Sequence, residues 1–190
     1  MKIYLIRHGE TKMNRQKRFY GELDVPISST GRVQAETLKQ KLAFLSKDLS
    51  VYTSGLQRSI VTAEIVFPHK KLIKDHRFNE KSFGLWEGLT AQEIEEAFPK
   101  EWWAWINAPF SYTPPEAERF ADFAKRVQEA FESLLANQQD SVLVCHLGVL
   151  RVLLHTLFPE KVFWEIDVCQ GCYTVLEHDD AKWQMLSCNV

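Results

Sequence analysis

At 190 residues, 45% hydrophobic and with a formal net charge of −2, the chain is long enough to bury roughly 70% of the surface its unfolded form exposes. Its near-neutral charge excludes a nucleic-acid or membrane-surface binder that works through bulk electrostatics. No stretch approaches the run of about 20 apolar residues that a membrane span needs, and the first apolar run ends at Arg7, too early for a signal peptide, so a cytoplasmic protein is expected.

Residues 2–7 predict a buried strand that stops at Arg7-His8-Gly9. In open α/β sheets the carboxyl ends of strands are where ligands bind, and an arginine beside a histidine there suits an anion. Gly9 fits either a close pass of the backbone along a ligand or a positive φ. The basic cluster Lys12, Arg15, Lys17 and Arg18 reads as a solvated loop, with steering of an anion as the alternative. Thr30–Phe44 predicts an amphipathic helix with Ser28, Ser29 or Thr30 as its N-cap. Ser50–Ser54 reads as strand, Leu56–Phe67 as a helix that stops before Pro68, and Lys71–Lys74 as a short strand. Thr90-Ala91-Gln92-Glu93 has capping-box spacing for a helix to Phe98, and Lys100–Ile106 follows as a second short helix. Trp102 and Trp105 share a face of that helix, which serves core packing or, if it meets a pocket, stacking on an aromatic base. Ala108–Pro115 reads as part of a cap or lid loop. Glu118–Ala136 is a long amphipathic helix, Ser141–Cys145 a strand that ends at His146, and Val149–Phe158 a helix; residues from about 163 onward read as β-rich. This alternation predicts an α/β three-layer sandwich, a mostly parallel sheet with helices on both faces. A single domain over 1–190 is expected, with a cap at about 85–118.

Cys145, in an apolar strand, reads as a small core residue. Cys169-Gln170-Gly171-Cys172 lacks the helix start of a redox motif and reads as structural. On an extended segment, positions three apart face opposite ways, so joint metal or redox work there requires a turn.

Five separated segments then carry a family likeness. After Arg7-His8-Gly9-Glu10-Thr11 come Asn14, Gly21, Asp24 and Pro26-Ile27-Ser28-Ser29-Thr30-Gly31-Arg32. Next are Tyr52-Thr53-Ser54-Gly55-Leu56-Gln57-Arg58-Ser59 and Asn79-Glu80-Lys81-Ser82-Phe83-Gly84-Leu85-Trp86-Glu87-Gly88, and last Val144-Cys145-His146-Leu147-Gly148-Val149. In this order, over nearly the whole chain, they resemble the signature segments of the histidine phosphatase superfamily, also called phosphoglycerate mutase-like. The chain departs from the pattern at Gly55, where proline is common, at Ala117-Glu118-Arg119, where Gly-Glu-Ser is usual, and at Leu147, where a glycine is usual.

The chemistry can be argued beside the likeness. A phosphate monoester dianion resists attack, so a site must neutralise its oxygens and hold the nucleophile in line with the leaving group. Arg7 and Arg58 are candidates for that clamp, because a guanidinium fork matches phosphate and stays charged. His8 is the candidate nucleophile, since an unprotonated imidazole attacks well near neutral pH. Glu80 is the candidate general acid and then general base, with its pKa expected to rise beside a phosphate. The resemblance implies that Asn14 and Gly21 help bind substrate, that His146 supports the charge on the phosphoryl group, and that Glu118 keeps an acidic position at the pocket or stabilises a helix N-terminus.

His8, His146 and Glu80 also match a His₂Glu zinc set, but two arginines beside them would repel a dication and no HExxH pairing occurs, so no metal and no cofactor are expected. An inactive phospholigand-binding module would lack a nucleophile or an acid, and neither is missing. The expected partner is a small phosphate monoester, with no nucleic acid and no membrane, acted on by a monomer or homodimer. The chain is short beside the cofactor-dependent mutases, which favours a phosphatase. Within the superfamily it is most similar to the α-ribazole phosphatases of cobalamin lower-ligand assembly, through residues 146–150, Phe163-Trp164-Glu165-Ile166-Asp167 and Gln170-Gly171-Cys172-Tyr173. A broad sugar or small-metabolite phosphatase, or a mutase, is the alternative.

Overall fold

The computed structural model describes residues 1–46, 48–179 and 182–190. Among them, six strands form one sheet: β1 (Lys2–Arg7), β2 (Ser50–Thr53), β3 (Leu72–Lys74), β4 (Ser141–Cys145), β5 (Tyr173–Asp179) and β6 (Lys182–Ser187), in the order β3-β2-β4-β1-β5-β6. β3, β2, β4 and β1 pair in parallel, while β5 runs antiparallel to β1 and β6 antiparallel to β5. The sheet is therefore mixed, as an α/β fold with a mostly parallel sheet requires. No helix of the described residues is long and apolar enough to cross a membrane.

Strand alternation builds two cores. Ile3 and Leu5 point to one face, where Phe123, Val127 and Leu134 of helix α6 (Phe120–Leu135) and Leu150 and Leu153 of helix α7 (Leu147–Leu157) cover them. Tyr4 and Ile6 point to the other, against Ala35 and Leu38 of α2 (Ser29–Lys41) and Ala63 and Val66 of α3 (Gln57–Val66). All five residues of β4 are buried, as expected of a central strand covered on both faces.

Insertion of β4 beside β1 is what assembles the site. Arg7 lies in register with Cys145, and the His8 amide donates to the Cys145 carbonyl at 2.9 Å. Residues 8 and 146, far apart in sequence, thereby emerge together at one sheet edge.

Several boundaries differ from the sequence reading for local reasons. Lys12–Arg15 is not loop but a short helix, α1, closed by a reciprocal capping box between Thr11 and Asn14. α2 stops at Lys41, and Phe44 is exposed. α6 begins at Phe120, not Glu118, because Arg119 is its extended N-cap. α7 begins two residues early, with His146 as N-cap. Phe163–Glu165 is a 3₁₀ turn, and strand resumes only at Tyr173; the β-rich stretch expected to the end also covers Asp180 and Ala181, which lie outside the described residues.

The helices α4 (Ala91–Ala97) and α5 (Pro99–Asn107) form where the capping box and Pro99 place them. α5 turns Trp102 and Trp105 onto Phe19 and the fully buried Trp86, with ring centroids 5.8 to 6.1 Å apart. Residues 169–172 are not extended: Gly171 takes φ +77° and turns Cys169 and Cys172 toward each other. The turn that joint chemistry of this pair requires is present.

Candidate active site

His8 follows β1 directly, with its ring buried to 3% exposure. Its Nδ1 lies 2.8 Å from the Gly9 carbonyl, which can only accept, so Nδ1 carries the hydrogen and Nε2 keeps its lone pair. Burial, then the charges of Arg58 and Arg7, hold this imidazole well below the usual 6.5, so the neutral ring persists at neutral pH. Gly9 does not take the positive φ that was one of its two expected roles; a Cβ on it would lie 2.6 Å from the Gly31 carbonyl, so it lets the site loop pack against α2.

Arg58, the second residue of α3, is fully buried, although a cation on a helix is ordinarily solvated. Its guanidinium donates to the carbonyls of Leu23 (3.0 Å) and Gly21 (2.7 Å) and to His146 Nδ1 (3.3 Å), and it stacks over Tyr20. No carboxylate pairs with it among the described residues, and burial draws its pKa down. Arg7 donates Nη1 to the Val168 carbonyl, and its buried Nε has no partner. Two desolvated guanidiniums with no carboxylate in ion-pair contact among the described residues favour an incoming anion.

Asn14 receives hydrogen bonds at Oδ1 from the Thr11 amide (3.0 Å) and from Gln170 Nε2 (2.7 Å). That leaves its NH₂ group as the donor. Glu80 reaches the site from the loop after the 3₁₀ turn His76–Phe78. Its Oε2 accepts from the Gly148 amide and its Oε1 from the Lys81 amide, each at 2.9 Å, so the carboxylate sits at the N-terminus of α7. A Cβ on Gly148 would come within 2.3 Å of Glu80 Oε1.

His146 stands beside His8, ring centroids 5.2 Å apart, and is fully buried. Its Nδ1 accepts from Arg58 and its Nε2 lies 2.8 Å from Ser54 Oγ, so both nitrogens are engaged within the protein. Burial and the Arg58 charge hold it, too, well below the usual 6.5. No group of three or more His, Cys, Asp or Glu that could hold a metal occurs among the described residues.

Arg7, His8, Asn14, Arg58 and Glu80 line a cavity of about 340 Å³. Trp105 also lines it, together with Phe19, Phe83, Phe163 and Trp164. Four expected residues do not. His146 is absent from the lining, its two ring nitrogens held by Arg58 and Ser54. Trp102 stays inside the Phe19–Trp86–Trp105 cluster. Gly21 lies beneath the site, where a Cβ would fall 1.8 Å from the Lys81 carbonyl, and contributes only its own carbonyl to Arg58. Glu118 neither reaches the cavity nor lies in a helix; it pairs with Arg126 at 2.6 Å.

That pair exposes a residue the sequence did not single out. Arg126 projects from α6 and donates to the carbonyls of Arg77, Asn79 and Glu80, so it holds the loop that presents Glu80. Nothing local marks Arg126 for this role; the carbonyls it holds are 46 to 49 residues away. Of the basic cluster, Lys17 and Arg18 reach the cavity, but Arg18 is paired with Glu93 at 2.6 Å, and Arg15 is held by Glu10.

The profile described as Histidine phosphatase superfamily (branch 1) matches residues 3–190. The adenosylcobalamin/alpha-ribazole phosphatase of Escherichia coli is 32% identical over 183 residues, covering 93% of this chain and 90% of that protein. Phosphoserine phosphatase 1 of Hydrogenobacter thermophilus is 28% identical over 196 residues, covering 100% of this chain and 92% of that protein. The crystal structure of the alpha-ribazole phosphatase from Shigella flexneri superimposes with a TM-score of 0.93 at 29% identity, covering 100% of this chain and 96% of that one.

Proposed function

The chain belongs to the histidine phosphatase superfamily, and from that membership we propose that it hydrolyses phosphate monoesters through a phosphohistidine on His8, with α-ribazole 5′-phosphate as its substrate. The observation that carries the chemistry is a buried, neutral His8 with Nε2 free, beside two guanidiniums that have no carboxylate partner.

In this reading Arg7, Arg58 and the Asn14 amide take the phosphoryl oxygens, and His8 Nε2 attacks phosphorus in line with the leaving oxygen. Glu80 gives that oxygen a proton as the P–O bond breaks. It then takes a proton from the water that attacks phosphohistidine, which returns free His8 and inorganic phosphate. His146 acts through Arg58, whose guanidinium it orients.

The finer choice of substrate is supported by the aromatic wall of Phe19, Phe83, Trp105 and Trp164, a stacking surface suited to a benzimidazole. A second reading is favoured by Lys81 and Arg151. Both line the cavity and donate to backbone carbonyls, which suits a leaving group with its own carboxylate, such as phosphoserine.

The test is a turnover comparison of α-ribazole 5′-phosphate, phosphoserine, 3-phosphoglycerate and ribose 5-phosphate. The highest kcat/KM is expected for the first; a higher value for phosphoserine selects the second reading. His8→Ala is expected to abolish both turnover and an acid-labile, alkali-stable phosphoenzyme. Wild-type activity is expected to survive a chelator, and loss that zinc restores would revive the His₂Glu reading.

A further inference from the structure

The turn at Gly171 places Cys169 Sγ 3.1 Å from Cys172 Sγ, nearer than two unbonded sulfurs pack and about 1 Å from the roughly 2.05 Å of a disulfide. Both thiols are free and half-buried, so a small oxidant can reach them. The phosphatase reaction uses neither.

The segment that carries them is wired to the phosphate end of the cavity. Val168, one residue before the pair, accepts Arg7 Nη1 on its carbonyl at 3.2 Å. Gln170, between the two cysteines, forms a backbone bridge with Arg7 and donates its side-chain amide to Asn14 Oδ1 at 2.7 Å. A change in the backbone of residues 169–172 therefore displaces a direct partner of both residues.

We propose that Cys169 and Cys172 form a reversible dithiol–disulfide site, and that closing it weakens substrate binding through Gln170. The oxidant is a low-molecular-weight disulfide such as oxidised glutathione. One cysteine sulfur attacks it and releases one glutathione thiol; the second cysteine sulfur then displaces the other glutathione and closes the ring. The two thiol protons and two electrons leave on two molecules of glutathione, and excess reduced glutathione reverses the exchange. Burial, then the adjoining Cys172 thiol, push Cys169 up to about 11, so the exchange quickens as pH rises and thiolate accumulates.

Only the kinetic readout rests on the phosphatase reading. The full chain is equilibrated in glutathione buffers of graded ratio, quenched by alkylation and weighed. The expected result is a reversible loss of two alkylatable thiols mapping to residues 169–172, in wild type and Cys188→Ser but not in Cys169→Ser or Cys172→Ser. KM for p-nitrophenyl phosphate is then expected to rise roughly three- to tenfold on oxidation, the effect of about one hydrogen bond, with a smaller change in kcat. Cys172→Ser is expected to keep one KM in both buffers. Failure to form the 169–172 disulfide, or its replacement by a bridge to Cys188 or a stable glutathione adduct, overturns the site. Formation of the disulfide with KM unchanged overturns its coupling to Arg7 and Asn14. Absence of any turnover by the reduced chain would fail the phosphatase reading, while the thiol masses would still decide the site.

Discussion

At the residue scale the site depends on polar groups whose partners are backbone atoms. Glu80 is held by two amides, one of them at the start of α7, and this fixes the carboxylate at the cavity. Glu80→Gln keeps the size but loses the proton and one of the two acceptors that the Lys81 and Gly148 amides face. We expect it to slow alkyl phosphates by about 10²–10⁴-fold and p-nitrophenyl phosphate much less, because a good leaving group needs little protonation. Gly148→Ala, whose Cβ would crowd Glu80 Oε1 to 2.3 Å, is expected to show the same split in steady-state rates. Equal losses on both substrates would remove Glu80 as the proton donor.

At the element scale, α6 does two jobs. Phe123, Val127, Ala130, Phe131 and Leu134 recur at helical spacing and cover one face of the sheet, while Arg126 on the same helix holds the Glu80 loop. Leu134→Ala leaves a cavity in a fully packed site and is expected to lower unfolding free energy by about 2–5 kcal/mol in urea. A cost below about 1 kcal/mol would mean that the neighbouring side chains collapse into the space. α5 and the 3₁₀ turn Phe163–Glu165 bring Trp105 and Trp164 edge-to-face at 6.1 Å on the cavity wall. Trp105→Ala or Trp164→Ala is expected to erode the preference for α-ribazole phosphate over ribose 5-phosphate while the phosphohistidine still forms. Trp102→Ala, in contrast, is expected to act chiefly on stability. An unchanged preference in both wall variants would argue against stacking of the leaving group.

Across the whole molecule, two buried neutral histidines make stability depend on pH. His8 and His146 both have folded pKa values held well below 6.5, so below that pH the unfolded chain binds protons that the folded chain refuses. Their contribution to stability is complete above about 6.5 and is lost as pH falls, by up to about 1.4 kcal/mol per pH unit for each ring. Glu10, Asp75 and Glu93 have lowered carboxylate values and titrate at more acidic pH, outside this window. Urea midpoints are expected to drop between about pH 7.5 and 5.5, and His8→Asn is expected to shallow that slope; an unchanged slope would mean that His8 does not carry it.

Periodicity and signature spacing made the alternation of strands and helices, the superfamily likeness and the catalytic candidates legible in sequence order. These signals are local, or are residue types whose chemistry is the same in any fold. Strand order, by contrast, is a long-range property. Only the insertion of β4 beside β1 sets residue 146 next to residue 8, and only packing determines that Arg58 is buried without a carboxylate. Trp102 and Trp105 share a helix face and cannot be told apart by spacing, yet Trp105 meets the cavity while Trp102 stays among rings. Glu118 was visible as an acidic position, but its partner Arg126 sits across a loop and a helix turn, and the turn of Cys169 toward Cys172 depends on a positive φ at Gly171. Pattern identifies which residues carry the chemistry; contacts between distant segments decide which of them face the substrate and which hold the others in place.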